Sequence, residues 1–135
     1  MTQRTYAQDT NVSVDKSTAD VKKMLKALGA DRIAVIESSD GNFLAFQHGS
    51  VAYKLTQPKL DIPRKSEEQC DRAAWRAIVL LVKAKKVAID QGITTLEREF
   101  FSDTMLPDGT VLGDHHKAIV GHNYTDGPPL LGGTP

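Results

Sequence analysis

The chain has 135 residues, of which 40% are hydrophobic, and its 17 Lys and Arg residues balance 17 Asp and Glu residues. This composition is typical of a soluble domain and excludes a disordered or fibrous chain. No apolar run approaches the roughly 18–20 residues of a membrane span, and the start of the chain lacks the apolar stretch of a signal peptide. The single cysteine, Cys70, excludes an internal disulfide and fits a reducing cytosol, so a cytoplasmic protein is predicted.

The first elements along the chain are a polar arm and a helix. Residues 1–16 are polar and aperiodic, which predicts an N-terminal arm outside the domain. Ser17 is then the expected N-cap of a helix that closes at Gly29. Its apolar residues recur at helical spacing and form one stripe, consisting of Val21, Met24, Leu25 and Leu28.

Three β-rich runs follow, at residues 33–36, 43–46 and 51–56, and short turn sequences separate them. Short connections of this kind predict an antiparallel meander. The first two runs are apolar at successive positions, so we expect these strands to be buried on much of both faces and another element to cover the sheet.

The rest of the domain is predicted to be mainly helical. Ser66 and Gln69 form a capping box, and the long helix that they open contains no Pro or Gly before Gly92. Thr94 and Glu97 predict a shorter helix, and residues 107–109 predict the turn of a small hairpin. Residues 17–113 are therefore expected to form a single compact α+β domain: an N-terminal helix, a three-stranded antiparallel meander packed on the long helix, a short helix and the hairpin. The Gly- and Pro-rich residues 114–135 are expected to form a flexible tail.

The long helix carries the candidate binding site. At about 100° per residue, four of its cations fall within a strip about 80° wide, and an indole borders them. We call these cations the basic strip: Arg72, Arg76, Lys83 and Lys86, with Trp75 at the border. Cations spaced along a rod suit the phosphates of a nucleic acid, and a tryptophan can stack on a base. The preceding segment places Lys59, Arg64 and Lys65 near the helix start, where they would extend the site.

The basic strip has one alternative interpretation, and the rest of the helix supports two further predictions. The strip could be only its solvated face, because Glu68 and Asp90 lie one turn from Arg72 and Lys86. The remaining circumference is almost entirely apolar, so more than one neighbour is expected to bury it, with Leu81 in the core. The excess apolar surface predicts a homo-oligomer.

No catalytic residue, metal or cofactor is predicted. The triplet at residues 114–116, Asp-His-His, matches a phosphoesterase signature but lacks its partner motifs, and the histidines with Asp103 match no common zinc spacing. Cys70 points into the apolar arc, which favours core packing over reactivity. Lys85 also falls in that arc, where most lysines extend the ammonium to an edge, whereas a buried Lys85 would be a functional candidate.

Several segments in order resemble small uncharacterised accessory proteins of bacteriophages and prophages. They are residues 21–30, 75–77, 82–85, 90–95 and the Leu-Pro-Asp-Gly turn at 106–111. The resemblance covers residues 17–113. It implies an accessory protein that acts in the cytoplasm of an infected bacterium, where such proteins contact nucleic-acid metabolism or block a host defence. It implies no catalytic role.

Together these patterns predict a non-enzymatic binding protein that engages nucleic acid or a host nucleoprotein complex through the basic strip. Three alternatives remain open. The protein could inhibit an anti-phage defence complex by docking on protein, it could sequester a nucleotide signal in a pocket between subunits, or, least favoured, it could be an enzyme that uses Lys85 or the histidines.

Overall fold

A computed structural model describes residues 10–121 and shows the α+β arrangement that the sequence predicts. The longer elements, in chain order, are α1 (Val14–Ala27), β1 (Arg32–Ser38), β2 (Gly41–His48), β3 (Val51–Thr56) and α2 (Glu67–Asp90). Two short α-helices follow, α3 (Leu96–Glu99) and α4 (His116–Val120), with single turns of 3₁₀ helix at Phe101–Asp103 and Leu112–His115.

The three strands form an antiparallel sheet in the order β1-β2-β3, as expected for a meander. One face of the sheet, its inner face, packs into the core. The buried side chains on this face come from β2 and β3 and are Leu44, Phe46, Tyr53 and Leu55. The other face, which includes Ala34 and Ile36, is open to solvent. The expectation that both faces are covered is therefore wrong, because the main hydrophobic cluster contains only the inner side chains of the sheet together with residues of the helices.

Helix α1 begins one turn earlier than predicted. Ser13 is the N-cap, and its hydroxyl accepts a hydrogen bond from the Lys16 amide at 3.1 Å. Ser17 is not a cap but lies fully buried inside the helix. Residues 14–16, expected in the arm, are thus helical. The C-terminus forms as predicted at Gly29, whose φ of 98° is in the left-handed region that favours glycine.

Helix α2 begins as the capping pattern predicts, with the Ser66 hydroxyl accepting from the Gln69 amide at 3.1 Å. One side of α2 packs against α1 and the sheet. Its residues Trp75, Val79 and Val82 join Val21 and Leu25 of α1 in the core. The two helices run in similar directions. Thr10, just before α1, lies beside Gln69 near the start of α2, and Asp20 lies beside Arg76 further along both helices.

The C-terminal part differs in detail from the expectation. Thr95, not Thr94, caps α3 by accepting from the Arg98 amide. The predicted hairpin is reduced to one bridge, Met105 with Val111, around the turn at 107–109. Residues 114–121, expected in the flexible tail, instead form the end of the second 3₁₀ turn and α4. The rest of that tail, residues 122–135, lies outside the described residues. Among the helices described, none combines the length and apolarity of a membrane span.

Candidate functional site

Carboxylates neutralise most of the basic strip. Arg72 donates to Glu68 at 3.0 Å and Arg76 contacts Asp20 of α1 at 3.4 Å, while Lys86 pairs with Asp90. Lys83 is exposed and has no ion pair within residues 10–121. Lys83 is therefore the one strip cation there whose charge no neighbouring carboxylate offsets, and the strip is a weak site for a row of phosphates.

Trp75 cannot stack on a base in this structure. Its side chain is only 2% exposed and packs in the core, so the expectation that it borders the site is wrong. Val79 lies at the centre of the strip by helical spacing and is also buried. The physical reason is that α1 packs along this side of α2, with Asp20 reaching Arg76 across the contact.

Of the cations in the preceding segment, Lys59 does not extend the strip. Lys59 lines a cleft that borders α2 at Glu67, Cys70 and Asp71, which are residues on the other side of the helix from the strip. Arg64 and Lys65 are exposed in the turn before the N-cap Ser66, and Arg64 has a left-handed φ of 67°. The structure therefore separates Lys59 from Arg72, Arg76, Lys83 and Lys86.

The cleft itself has a volume of about 810 Å³ and lies between the β1–β2 turn, residues 56–61 and the start of α2. Two amides join these three segments: Asn42 donates to Gln57 at 2.8 Å, and Gln57 donates to Asp71 at 3.2 Å. Four carboxylates line the cleft against the single cation Lys59, and they are those of Asp40, Asp61, Glu67 and Asp71. This excess of negative charge repels phosphates.

The most unusual surface lies on α2 opposite the buried side. Its apolar residues cover an arc about 120° wide at helical spacing, and we call this surface the α2 face. It consists of Ala77, Leu80, Leu81, Ala84, Val87 and Ala88. Leu81 is 49% exposed and Val87 is 54% exposed, and Ile93, which follows the helix, is 79% exposed. The expectation that Leu81 lies in the core is wrong, because α1 and the sheet cover only the opposite side of α2.

Lys85, the lysine that falls in the apolar arc of α2, has a hydrogen-bond partner within the fold. Its ammonium donates to the Glu99 carbonyl at 2.6 Å and lies 5.3 Å from the centre of the Phe100 ring. It thus closes the C-terminus of α3, in keeping with the predicted extension of the charge to an edge. Burial raises the pKa of nearby Asp103, and the positive charge of Lys85 partly opposes that rise.

A chain of three polar side chains fixes the turn after α3. The Thr110 hydroxyl donates to Asp108 at 2.6 Å and lies 2.8 Å from Nε2 of His115. Hydrogen bonds from Thr110 lower the pKa of Asp108. A hydroxyl carries one proton, so the bond to Asp108 leaves Thr110 to accept from His115, which favours a structural role over an activated nucleophile. Residues 10–121 contain no cluster of three or more side chains placed to hold a metal ion.

Comparison of the chain with protein-family models, curated proteins and solved structures finds no match. The resemblance to phage accessory proteins accordingly stays a prediction. The sequence analysis predicts excess apolar surface on this helix but does not identify the α2 face as a site. The face did leave a signal, because its residues form pairs seven residues apart, namely Leu80 and Val87, Ala77 and Ala84, and Leu81 and Ala88. This spacing is typical of a helix that packs along another helix.

Proposed function

We propose that the chain is a non-enzymatic protein-binding module that docks on a helix of a partner protein through the α2 face. The observation that carries this proposal is the exposure of Leu81 and Val87, which belong to an uninterrupted apolar arc of the longest helix. Contiguous exposed apolar surface on a folded domain marks an interaction site, because burying it releases free energy of about 25 cal/mol per Å².

A helix is the occupant that the shape of the surface favours. The α2 face is an arc about 120° wide along residues 77–88, and its residues recur at the seven-residue spacing of helix–helix contacts. Small residues at Ala77, Ala84 and Ala88 allow a second backbone to approach closely. This function is the docking alternative that the sequence leaves open, and inhibition of a host defence complex would be one form of it.

Nucleic-acid binding is the second candidate. The observation in its favour is a group of exposed lysines on α1, namely Lys22, Lys23 and Lys26, with Lys83 of α2. Against it stand the carboxylate partners of Arg72, Arg76 and Lys86 and the burial of Trp75. A nucleotide sponge finds less support, since the cleft beside the β1–β2 turn carries four carboxylates.

A capture experiment with face variants tests the proposal. The purified protein would be immobilised and exposed to extract of a phage-infected bacterium, with and without nuclease. We expect a protein partner that survives nuclease, is lost with Leu81→Ser and Val87→Ser, and is retained with Val51→Ser. Val51 is the matched control because it is a partly exposed valine on the sheet.

Three outcomes would overturn docking on a partner helix. A partner retained by both face variants would remove the α2 face as the site. Capture that disappears with nuclease would support nucleic-acid binding instead. Sedimentation as a dimer that Val87→Ser dissociates would make the α2 face the interface of the expected homo-oligomer.

A further inference from the structure

The α2 face has two unlike borders. One border carries Lys83, which is exposed, and the strip residue Arg76. The other border carries Asp103, which lines a small pocket with Ala77 and Leu81. Lys85, whose ammonium donates to the Glu99 carbonyl, lies near Asp103 and offsets part of its charge. A partner helix lying on the α2 face would therefore meet an uncompensated positive charge along one side and a carboxylate close to a lysine along the other.

Within residues 10–121, Lys83 is the charge on these borders that no neighbouring side chain of opposite charge offsets. The residues one turn before and after it on the same side of α2 are Val79, Leu80, Lys86 and Val87, none of which is acidic. Arg76 by contrast shares Asp20 of α1 at 3.4 Å. On α1, the exposed Lys23 lies one turn beyond Asp20, on the side that contacts Arg76, so it adds positive charge beyond this border.

From this asymmetry we infer that the partner helix is amphipathic with acidic residues along one border of its apolar stripe. This inference rests on the proposed docking function and names the chemistry of the partner. A single acidic border is sufficient, because a helix can lie on the surface in either direction and so bring that border to Lys83. A second acidic border would lie beside Asp103, whose charge is already close to that of Lys85, and would gain less than the border at Lys83.

A second copy of the chain that pairs antiparallel fits this surface less well. Two α2 helices that pair antiparallel through a two-fold axis place the same border of each helix together. The borders with Arg76 and Lys83 would then face each other, and like charges at a contact oppose association. Charge complementarity therefore favours a partner with acidic character over an antiparallel dimer through this face.

Two designed peptides test the inference directly. Each is a helix of about 21 residues, or three heptads, with the same apolar stripe and one charged border, which is glutamate in one peptide and lysine in the other. We expect the full-length protein to bind the glutamate peptide roughly five- to tenfold more tightly than the lysine peptide, with the difference shrinking as salt is raised. Isothermal titration calorimetry gives both affinities.

Charge reversal on the protein provides the matched control. Lys83→Glu is expected to reverse the preference, so that the lysine peptide binds more tightly. Lys117→Glu makes the same change of charge on α4, where the lysine is also exposed, and is expected to leave the preference unchanged. Circular dichroism spectra of both variants would verify the fold, and both positions are exposed enough to accept glutamate.

The outcomes separate the inference from the proposed function. Equal binding of both peptides, each weakened by Val87→Ser, would overturn the acidic border but retain the α2 face as a docking site. A preference that persists in Lys83→Glu would show that other charges set it and would also overturn the inference. Absence of binding by both peptides overturns the acidic helix as partner, and the capture experiment then decides the proposed function separately.

Discussion

The two sides of α2 are similar in composition and opposite in environment. The side toward α1 contains Trp75, Val79 and Val82, all buried, although cations flank them on the helix surface. The other side contains Leu81 and Val87, which are about half exposed although nothing polar interrupts their arc. Position relative to neighbouring elements thus decides burial on this helix, and apolar character alone does not.

The largest expected effect is at Trp75. Trp75→Ala should lower the free energy of unfolding by about 3–5 kcal/mol, because it removes a large buried side chain and leaves a cavity. Urea denaturation followed by circular dichroism measures this loss. The same tryptophan is the only one in the chain, so its fluorescence in the wild type should resist quenching by iodide. Ready quenching by iodide would contradict its burial.

The two sides of α2 show which features of the fold can be predicted from the sequence and which cannot. Local signals were sufficient for the elements themselves: Ser66 and Gln69 locate the start of α2, Gly29 the end of α1, and the turn residues the meander. These features depend on backbone geometry and nearby side chains, which a single sequence contains.

The binding surface could not be predicted in the same way. Helical spacing places Arg76 and Val79 on one strip, but it does not show that α1 packs there and supplies Asp20 as a partner. It also treats Leu81 and Val82 as equally apolar, whereas only Val82 meets α1 and the sheet. Which arc of an apolar helix becomes core depends on contacts between distant segments, and periodicity carries no information about them.

A matched pair of valines tests the difference between the two sides of α2. Val82→Ala should lower the free energy of unfolding by about 2–3 kcal/mol, since Val82 is fully buried and its loss leaves a cavity. Val87→Ala makes the same change at an exposed position and should cost less than about 1 kcal/mol. Urea midpoints with equal m-values give both numbers. Equal losses at the two positions would mean that the α2 face is already covered in solution.

The smallest effect concerns the surface of α1 that packs against α2, and it has the opposite sign. The Ser17 hydroxyl is completely buried and has no hydrogen-bond partner in the part of the chain that the structure describes. Ser17→Ala removes this unpaired group while keeping the small size that the site requires, so it should raise the free energy of unfolding by about 1 kcal/mol.

Ser13 supplies the control for that gain within the same helix. Ser13→Ala is the identical chemical change, but it removes the N-cap bond to the Lys16 amide and should lower the free energy of unfolding by about 1 kcal/mol. Opposite signs for two serines four residues apart would establish that Ser17 faces a dry contact. A loss of stability at both positions would instead show that the Ser17 hydroxyl has a hydrogen-bond partner in solution. The contact between α1 and α2 would then not be dry.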